Sequence, residues 1–182
     1  MWGEWLGMQK TIVVLGMHRS ATSLVACGLH QEISMGDDLL PASGSNPRGH
    51  FEDRHFVRMN DRILSAAGGS WDRPPSRQGI LGVGERFSDQ IQSTLDLASS
   101  GKEIWGFKDP RTTLTVPLYL PFLQNPHFVC CFRDPDQVAR SLQRRNGFPL
   151  EKGLRLAAIY NRRLLTFLSD FTGQWHEPPS GS

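Results

Sequence analysis

An apolar, β-branched run, Thr11–Leu15, stops at Gly16. A short polar loop with Arg19, Ser20, Thr22 and Ser23 follows, and then a helix-like segment over Leu24–Gln31. No other stretch constrains the fold as tightly. A strand that runs into a turn and then into a helix start aims backbone N–H groups and the positive end of the helix dipole at the intervening loop. The run Lys10–Leu15 is continuously apolar after its first two residues, the pattern of a parallel strand covered on both faces.

The loop approaches the GxxxxGK[ST] pattern of nucleotide-binding loops without meeting it. Counted from Gly16, that pattern wants glycine at 21, lysine at 22 and Ser or Thr at 23; the chain has Ala21, Thr22 and Ser23. The cation stands three residues earlier, as Arg19. A loop of this shape holds an anion, but the lysine that reaches the β- and γ-phosphates of a nucleoside triphosphate is absent.

Further along, the chain alternates strand and helix signals. Ile33–His50, rich in Gly, Asp, Pro, Ser and Asn, reads as a long surface loop. From Glu52 a helical stripe of Phe56, Met59, Ile63, Leu64 and Ala67 runs to Gly68-Gly69. Trp71–Gly84 reads as loop, and Arg86–Ser99 as helix. Glu103–Lys108 reads as a second buried strand ending in Asp109-Pro110-Arg111. Thr112–Leu123 has leucines at helical spacing, but Pro117 and Pro121 interrupt them. His127–Phe132 is a third strand, followed by helices over Asp136–Arg145 and about Leu150–Phe171. This alternation implies an open α/β sheet with crossover connections. It divides the chain into an N-terminal extension (1–9), one α/β domain (10–172) and a polar C-terminal tail (173–182).

Three strands are few for such a sheet. Either the loops hide more strands or a C-terminal portion is lacking. A net charge of +2 gives no field strong enough to argue for nucleic acid. Arginines do cluster in Arg140–Arg145 and Arg155–Arg163, at the spacing of a solvated helix face. Cys27, Cys130 and Cys131 cannot all pair, and no metal-binding spacing is present, so buried free thiols in the cytoplasm are expected. Neither a signal peptide nor a membrane span is expected.

In open α/β sheets, ligands sit beyond the carboxyl ends of the strands. Those ends carry Gly16 and Arg19, Lys108 and Arg111, and Arg133. Three strands thus deliver cations to one edge, the need of a polyanionic ligand. Local pairing of Lys108 with Asp109, and of Arg133 with Asp134, is the competing structural explanation. Ser141, eight positions after Arg133, taken alone is an ordinary helix serine.

The ordered set of motifs resembles the sulfotransferases that use 3′-phosphoadenosine 5′-phosphosulfate (PAPS). Arg19-Ser20-Ala21-Thr22-Ser23 resembles that family's 5′-phosphosulfate loop. Phe132-Arg133-Asp134-Pro135, running through Val138-Ala139-Arg140-Ser141, resembles its 3′-phosphate motif. Asn46–Glu52 and Trp105–Arg111 resemble further segments of bacterial members, and the likeness spans residues 11 to 165. It implies a three-layer αβα fold with a mainly parallel central sheet of the P-loop NTPase-like sulfotransferase type. It implies PAPS bound by Gly16, His18, Arg19, Ser20, Ala21, Thr22 and Ser23 at the phosphosulfate and by Arg133 and Ser141 at the 3′-phosphate. The expected reaction is in-line transfer of a sulfuryl group to an acceptor hydroxyl or amine, on a small molecule or carbohydrate, without a metal. Arg19 and Lys108 are suited to stabilise the leaving phosphate. Glu52 is the first candidate for general base and His50 the second, while His18 shapes the loop.

Two departures from the family pattern bear on activity. Ala21 stands where the loop usually has glycine, so a φ > 0 conformation there would be strained. The chain also ends before any Arg-Lys-Gly-type segment. The alternatives are a P-loop kinase or NTPase, and a sulfotransferase-like binding protein with impaired catalysis.

Overall fold

The computed structural model describes residues 9–44 and 49–174. Three parallel strands form one sheet: β1 (Lys10–Gly16), β2 (Ile104–Lys108) and β3 (Pro126–Cys131), in the order β2-β1-β3. β1 is central because it is the most apolar of the three, and Val13, Val14 and Leu15 are fully buried. Its register pairs Val14 with Lys108 on one side and Gly16 with Cys131 on the other. The three strand ends therefore meet at one edge. Among the described residues the sheet has no further strand, although Ser34 makes a single parallel bridge to Trp105 of β2.

Alternation along β1 splits the core in two. Val13 and Leu15 face the larger cluster, built with α2 (Arg54–Ala66), α4 (Gly84–Ser99), α5 (Thr112–Tyr119), α6 (Pro135–Asn146) and α7 (Leu150–Gln174). Phe56 of α2 stacks on Phe107 of β2 with ring centroids 4.0 Å apart and nearly parallel planes. Val14 faces the opposite cluster with Ala26 of α1 (Thr22–Leu29), Met35 and Cys131. Helices thus cover both faces, an α/β arrangement compatible with three layers.

Several local expectations need correction. Trp71–Gly84 is not all loop: Arg77–Gly82 forms a short helix, α3, started by Ser76, whose hydroxyl accepts from Gly79 N–H at 3.0 Å. Thr112–Tyr119 is helical despite Pro117, because every other residue of it is buried. It yields to a 3-10 turn at Leu120–Phe122, where Pro121 falls. Glu52 does not open α2. Asp53 does, as N-cap, accepting from His55 N–H at 2.8 Å and also from the N–H groups of Asp37 and Asp38 at 2.9 and 3.0 Å. Burial pushes the Asp53 carboxyl up, but these donors outweigh it and hold the group below its ordinary value. One carboxylate thereby pins the loop after α1 to the start of α2 and fixes its neighbour Glu52.

The motif segment Asn46-Pro47-Arg48 lies outside the described residues, as do 1–8 and 175–182. Of the three cysteines, all unpaired, only Cys131 is buried; Cys27 and Cys130 are half-buried. α7 crosses α6 closely because Gly153 lies against Ala139: a Cβ at Gly153 would fall 2.7 Å from Ala139 Cα. No helix among the described residues is long and apolar enough to cross a membrane.

Candidate functional site

Gly16 ends β1 at φ +151°, and a Cβ there would meet Cys131 O at 2.7 Å and Thr22 Cγ2 at 2.9 Å. Only glycine lets the loop turn this close to β3. Its N–H donates to Thr113 Oγ1 at 2.8 Å, and that hydroxyl donates back to Gly16 O at 3.1 Å. α5 thereby clamps the strand end.

The loop then passes through two left-handed residues, Arg19 at φ 70° and Ala21 at φ 65°. The strain expected of an alanine at position 21 is present. It costs on the order of 1–2 kcal/mol relative to a right-handed conformation. Ala21 is also the N-cap of α1, where its methyl cannot cap. The N–H groups of Thr22 and Ser23 have no acceptor within the helix and no side-chain cap. They are free to bind an anion.

A cleft of about 200 Å³ opens in front of them. His18, Arg19, Ala21, Thr22 and Ser23 form one wall, with His50 and Glu52 from the segment before α2, Pro110 after β2, Arg133 after β3 and Arg145 from α6. Groups from widely separated parts of the chain converge there. A larger groove, about 540 Å³, lies between the Ser70–Pro74 turn and α7. It has no comparable convergence of strand ends.

The cations are organised by hydrogen bonds. Arg19 Nε donates to Ser141 Oγ at 2.8 Å, so Ser141 is not an ordinary helix serine. Arg133 Nη1 donates to Arg19 O at 2.9 Å and its Nε to Gln137 Oε1 at 3.2 Å. The competing explanation, pairing of Arg133 with Asp134, is not found among the described residues. Asp134 instead caps α6 by accepting from Gln137 N–H at 3.0 Å. Burial, then the charges of Arg145, Arg133 and Arg144, push the Arg19 guanidinium below its ordinary value.

Lys108 likewise does not pair with Asp109. Fully buried, it donates to Glu52 Oε1 at 2.7 Å and to Ser23 Oγ at 3.1 Å. An ammonium thus stands beside the loop, with its charge committed to Glu52. Desolvation lowers the Lys108 pKa, and the Glu52 carboxylate only partly offsets it. Arg111 binds Asp109 at 2.9 Å and Asp61 at 2.7 Å, and lies 3.8 Å from Glu52 Oε2. Asp109 also accepts from Asn60 Nδ2 at 2.8 Å within a buried network with Thr112, Thr115 and Tyr119.

His18 packs under Trp71, with ring centroids 4.5 Å apart, and its buried Nε2 has no hydrogen-bond partner. Burial, followed by the charges of Arg111, Arg145, Lys108 and Arg19, pushes its pKa well below 6.5 and keeps it neutral. The Ser20 hydroxyl is also buried without a partner. Ser20 does not line the cleft, but His18 does, and its orphaned Nε2 fits a site built for a polar ligand. His50 Nε2 lies 2.8 Å from Ser43 Oγ.

Of the residues expected at the site, His18, Arg19, Ala21, Thr22, Ser23, His50, Glu52 and Arg133 line the cleft, whereas Gly16, Ser20, Lys108 and Ser141 support it from behind. Arg145 was expected on a solvated face and lines the cleft instead. Its spacing was the available signal: four residues after Ser141, it shares that helix face. No protein-family model, curated protein or solved structure matches the chain.

Proposed function

We propose that the protein is a PAPS-dependent sulfotransferase of the P-loop-type fold. The observation that carries this reading is the bridge Arg133–Arg19–Ser141. It joins the segment resembling a 5′-phosphosulfate loop to the segment resembling a 3′-phosphate site, as a ligand with both groups requires. The 5′-phosphosulfate occupies the Thr22 and Ser23 N–H groups and Arg19. Arg133 and Ser141 take the 3′-phosphate.

An acceptor hydroxyl oxygen attacks sulfur in line, and the bond between sulfur and the bridging phosphate oxygen breaks. The electron pair goes to that oxygen, beside Arg19, and adenosine 3′,5′-bisphosphate leaves. The acceptor's proton passes to Glu52, the one carboxylate among the described residues that line the cleft. Lys108 on Oε1 fixes the carboxylate, and Oε2, with Arg111 Nη1 3.8 Å away, takes the proton. No protein group forms a covalent intermediate, so positioning and charge stabilisation do the catalytic work. The acceptor is a small molecule or carbohydrate, and the setting is the cytoplasm, in keeping with three unpaired thiols.

Thermal shifts test this reading. Adenosine 3′,5′-bisphosphate should stabilise the protein more than AMP does, and Arg133→Ala should remove that difference. Equal stabilisation of the unmodified protein by both nucleotides would rule the 3′-phosphate assignment out. A second reading, a binding protein with impaired catalysis, is favoured by the strained Ala21 and by the engagement of Glu52 with two cations. It predicts bisphosphate binding without transfer. Phosphoryl transfer has less support, because Thr22 holds the lysine position and Lys108 is committed to Glu52.

A further inference from the structure

α6 carries one stripe toward the loop: Gln137, Ser141 and Arg145, each four residues apart and so on one face. Gln137 accepts from Arg133, and Ser141 accepts from Arg19. Arg145 is the third member, exposed on the last turn and lining the cleft. Arg144 beside it also pairs with no carboxylate among the described residues but does not line the cleft, and several other arginines are paired. Arg140 pairs with Asp136, Arg155 with Glu151 and Arg111 with Asp109. No carboxylate pairs with Arg145 among the described residues.

The cleft cannot neutralise this charge itself. Among the described residues its one lining carboxylate, Glu52, is taken by Lys108 and lies near Arg111. The charge of Arg145 bears on Arg19, His18 and His50, which lie at the loop and at the Glu52 wall. Arg133 is anchored at the other end of the stripe, at Gln137. Eight helical residues separate Gln137 from Arg145, about 12 Å along the axis. Arg133 reaches the loop at the carbonyl of Arg19, and Arg145 approaches the cleft from the opposite end of the stripe. The buried, partnerless Nε2 of His18 in the same cleft points independently to a missing polar ligand on the loop side.

We propose that Arg145 is a binding residue for the oxyanion seated on the Arg19–Ser23 loop, the 5′-side phosphate or phosphosulfate, and not for the 3′-phosphate. This rests on the donor site proposed above but needs only one part of it, that an oxyanion occupies the loop. Guanidinium and oxyanion meet through two parallel N–H···O bonds, which a lysine cannot reproduce.

The test is calorimetric titration, with melting of the ligand-free protein, using inorganic pyrophosphate, AMP and adenosine 3′,5′-bisphosphate as probes. Arg145→Ala should weaken all three by tenfold or more, on the order expected for a charge-assisted pair. Arg145→Lys should fall between, and Arg140→Ala should bind like the unmodified protein. Arg133→Ala should lose only the advantage of the bisphosphate over AMP. Unchanged affinities in Arg145→Ala overturn the inference, as does a loss confined to the bisphosphate. A lower melting temperature with unchanged affinities also overturns it, leaving Arg145 as a cation at a helix C-terminus. Failure of all three probes to bind the unmodified protein overturns both proposals. Arg145-dependent binding of pyrophosphate and AMP, with no preference for the bisphosphate, removes the donor assignment and leaves Arg145 in place.

Discussion

Arg19 Nε donates to Ser141 Oγ at 2.8 Å, joining two residues 122 positions apart. The bond holds a loop residue at φ 70° against the face of α6, and Arg133 grips the same residue through its carbonyl. Arg19 is thus placed by α6 and the β3 end as much as by its own loop. Removing the hydroxyl should release it. Ser141→Ala is expected to weaken adenosine 3′,5′-bisphosphate binding about fivefold, the value of one ordinary hydrogen bond of about 1 kcal/mol. Calorimetric titration checks this, and unchanged affinity would show that Ser141 neither orients Arg19 nor touches ligand.

Ala21 offers a gain instead of a loss. At φ 65° its methyl is strained, and glycine removes that strain while adding freedom to the unfolded chain. The two effects oppose each other, and strain is the larger. Ala21→Gly should stabilise by about 0.5–1 kcal/mol, or roughly 1–4 °C for a chain of this size. A fall in melting temperature would mean that the loop tolerates alanine without strain.

The Lys108–Glu52 pair should be costly to break from either side. Lys108 has no solvent exposure and the Glu52 side chain only 10%. Glu52→Gln or Lys108→Met leaves a buried charge short of its partner, at about 3–5 kcal/mol. The double variant Glu52→Gln, Lys108→Met should recover most of that loss. Urea unfolding of the four proteins decides it: strictly additive losses would deny the coupling.

His18 gives a pH dependence with a definite sign. Its folded pKa lies well below 6.5, so the unfolded chain takes up a proton first as the pH falls. The unfolded state then binds more protons than the native one, and stability rises with pH. The contribution is complete above 6.5 and is lost below it, with a slope of at most about 1.4 kcal/mol per pH unit. His50, also lowered by burial, acts in the same direction. Urea midpoints at pH 7.5 and 5.5 should differ, and His18→Asn should reduce the difference. An equal difference in the variant would assign the acid limb to other groups.

Asn60 is the hub of a buried network, donating to Asp109 and Thr112 and accepting from Thr115 and Tyr119. Asn60→Leu orphans these groups and should cost about 3 kcal/mol or more, with Arg111 displaced through Asp109. A melting temperature unchanged within 2 °C would contradict that accounting.

The order of elements was legible in the residues because periodicity and turn chemistry are local. Val13 to Leu15 can only be a buried strand, Gly16 only a tight turn, and Phe56, Met59 and Ile63 only one helix face. The parallel strands, and the delivery of Lys108, Arg133 and the Arg19 loop to one edge, follow from that order. Boundaries drifted where a cap decides them, as at Asp53, and α3 was missed because six residues carry too little periodicity to register.

Partnerships between charges were a different matter. Lys108 stands next to Asp109 in the chain yet binds Glu52, 56 positions away. Arg133 passes over Asp134 for the carbonyl of Arg19. Arg145 lies among surface arginines yet lines the cleft. Successive strand residues point to opposite faces, so chain neighbours are turned apart, and which distant group fills the space is set by how the helices pack on the sheet. The sequence by itself determined the strand–loop–helix cradle and the sign of the charge around it. The tertiary structure alone decided which cations are spent on carboxylates and, among the described residues, which line the cleft without one.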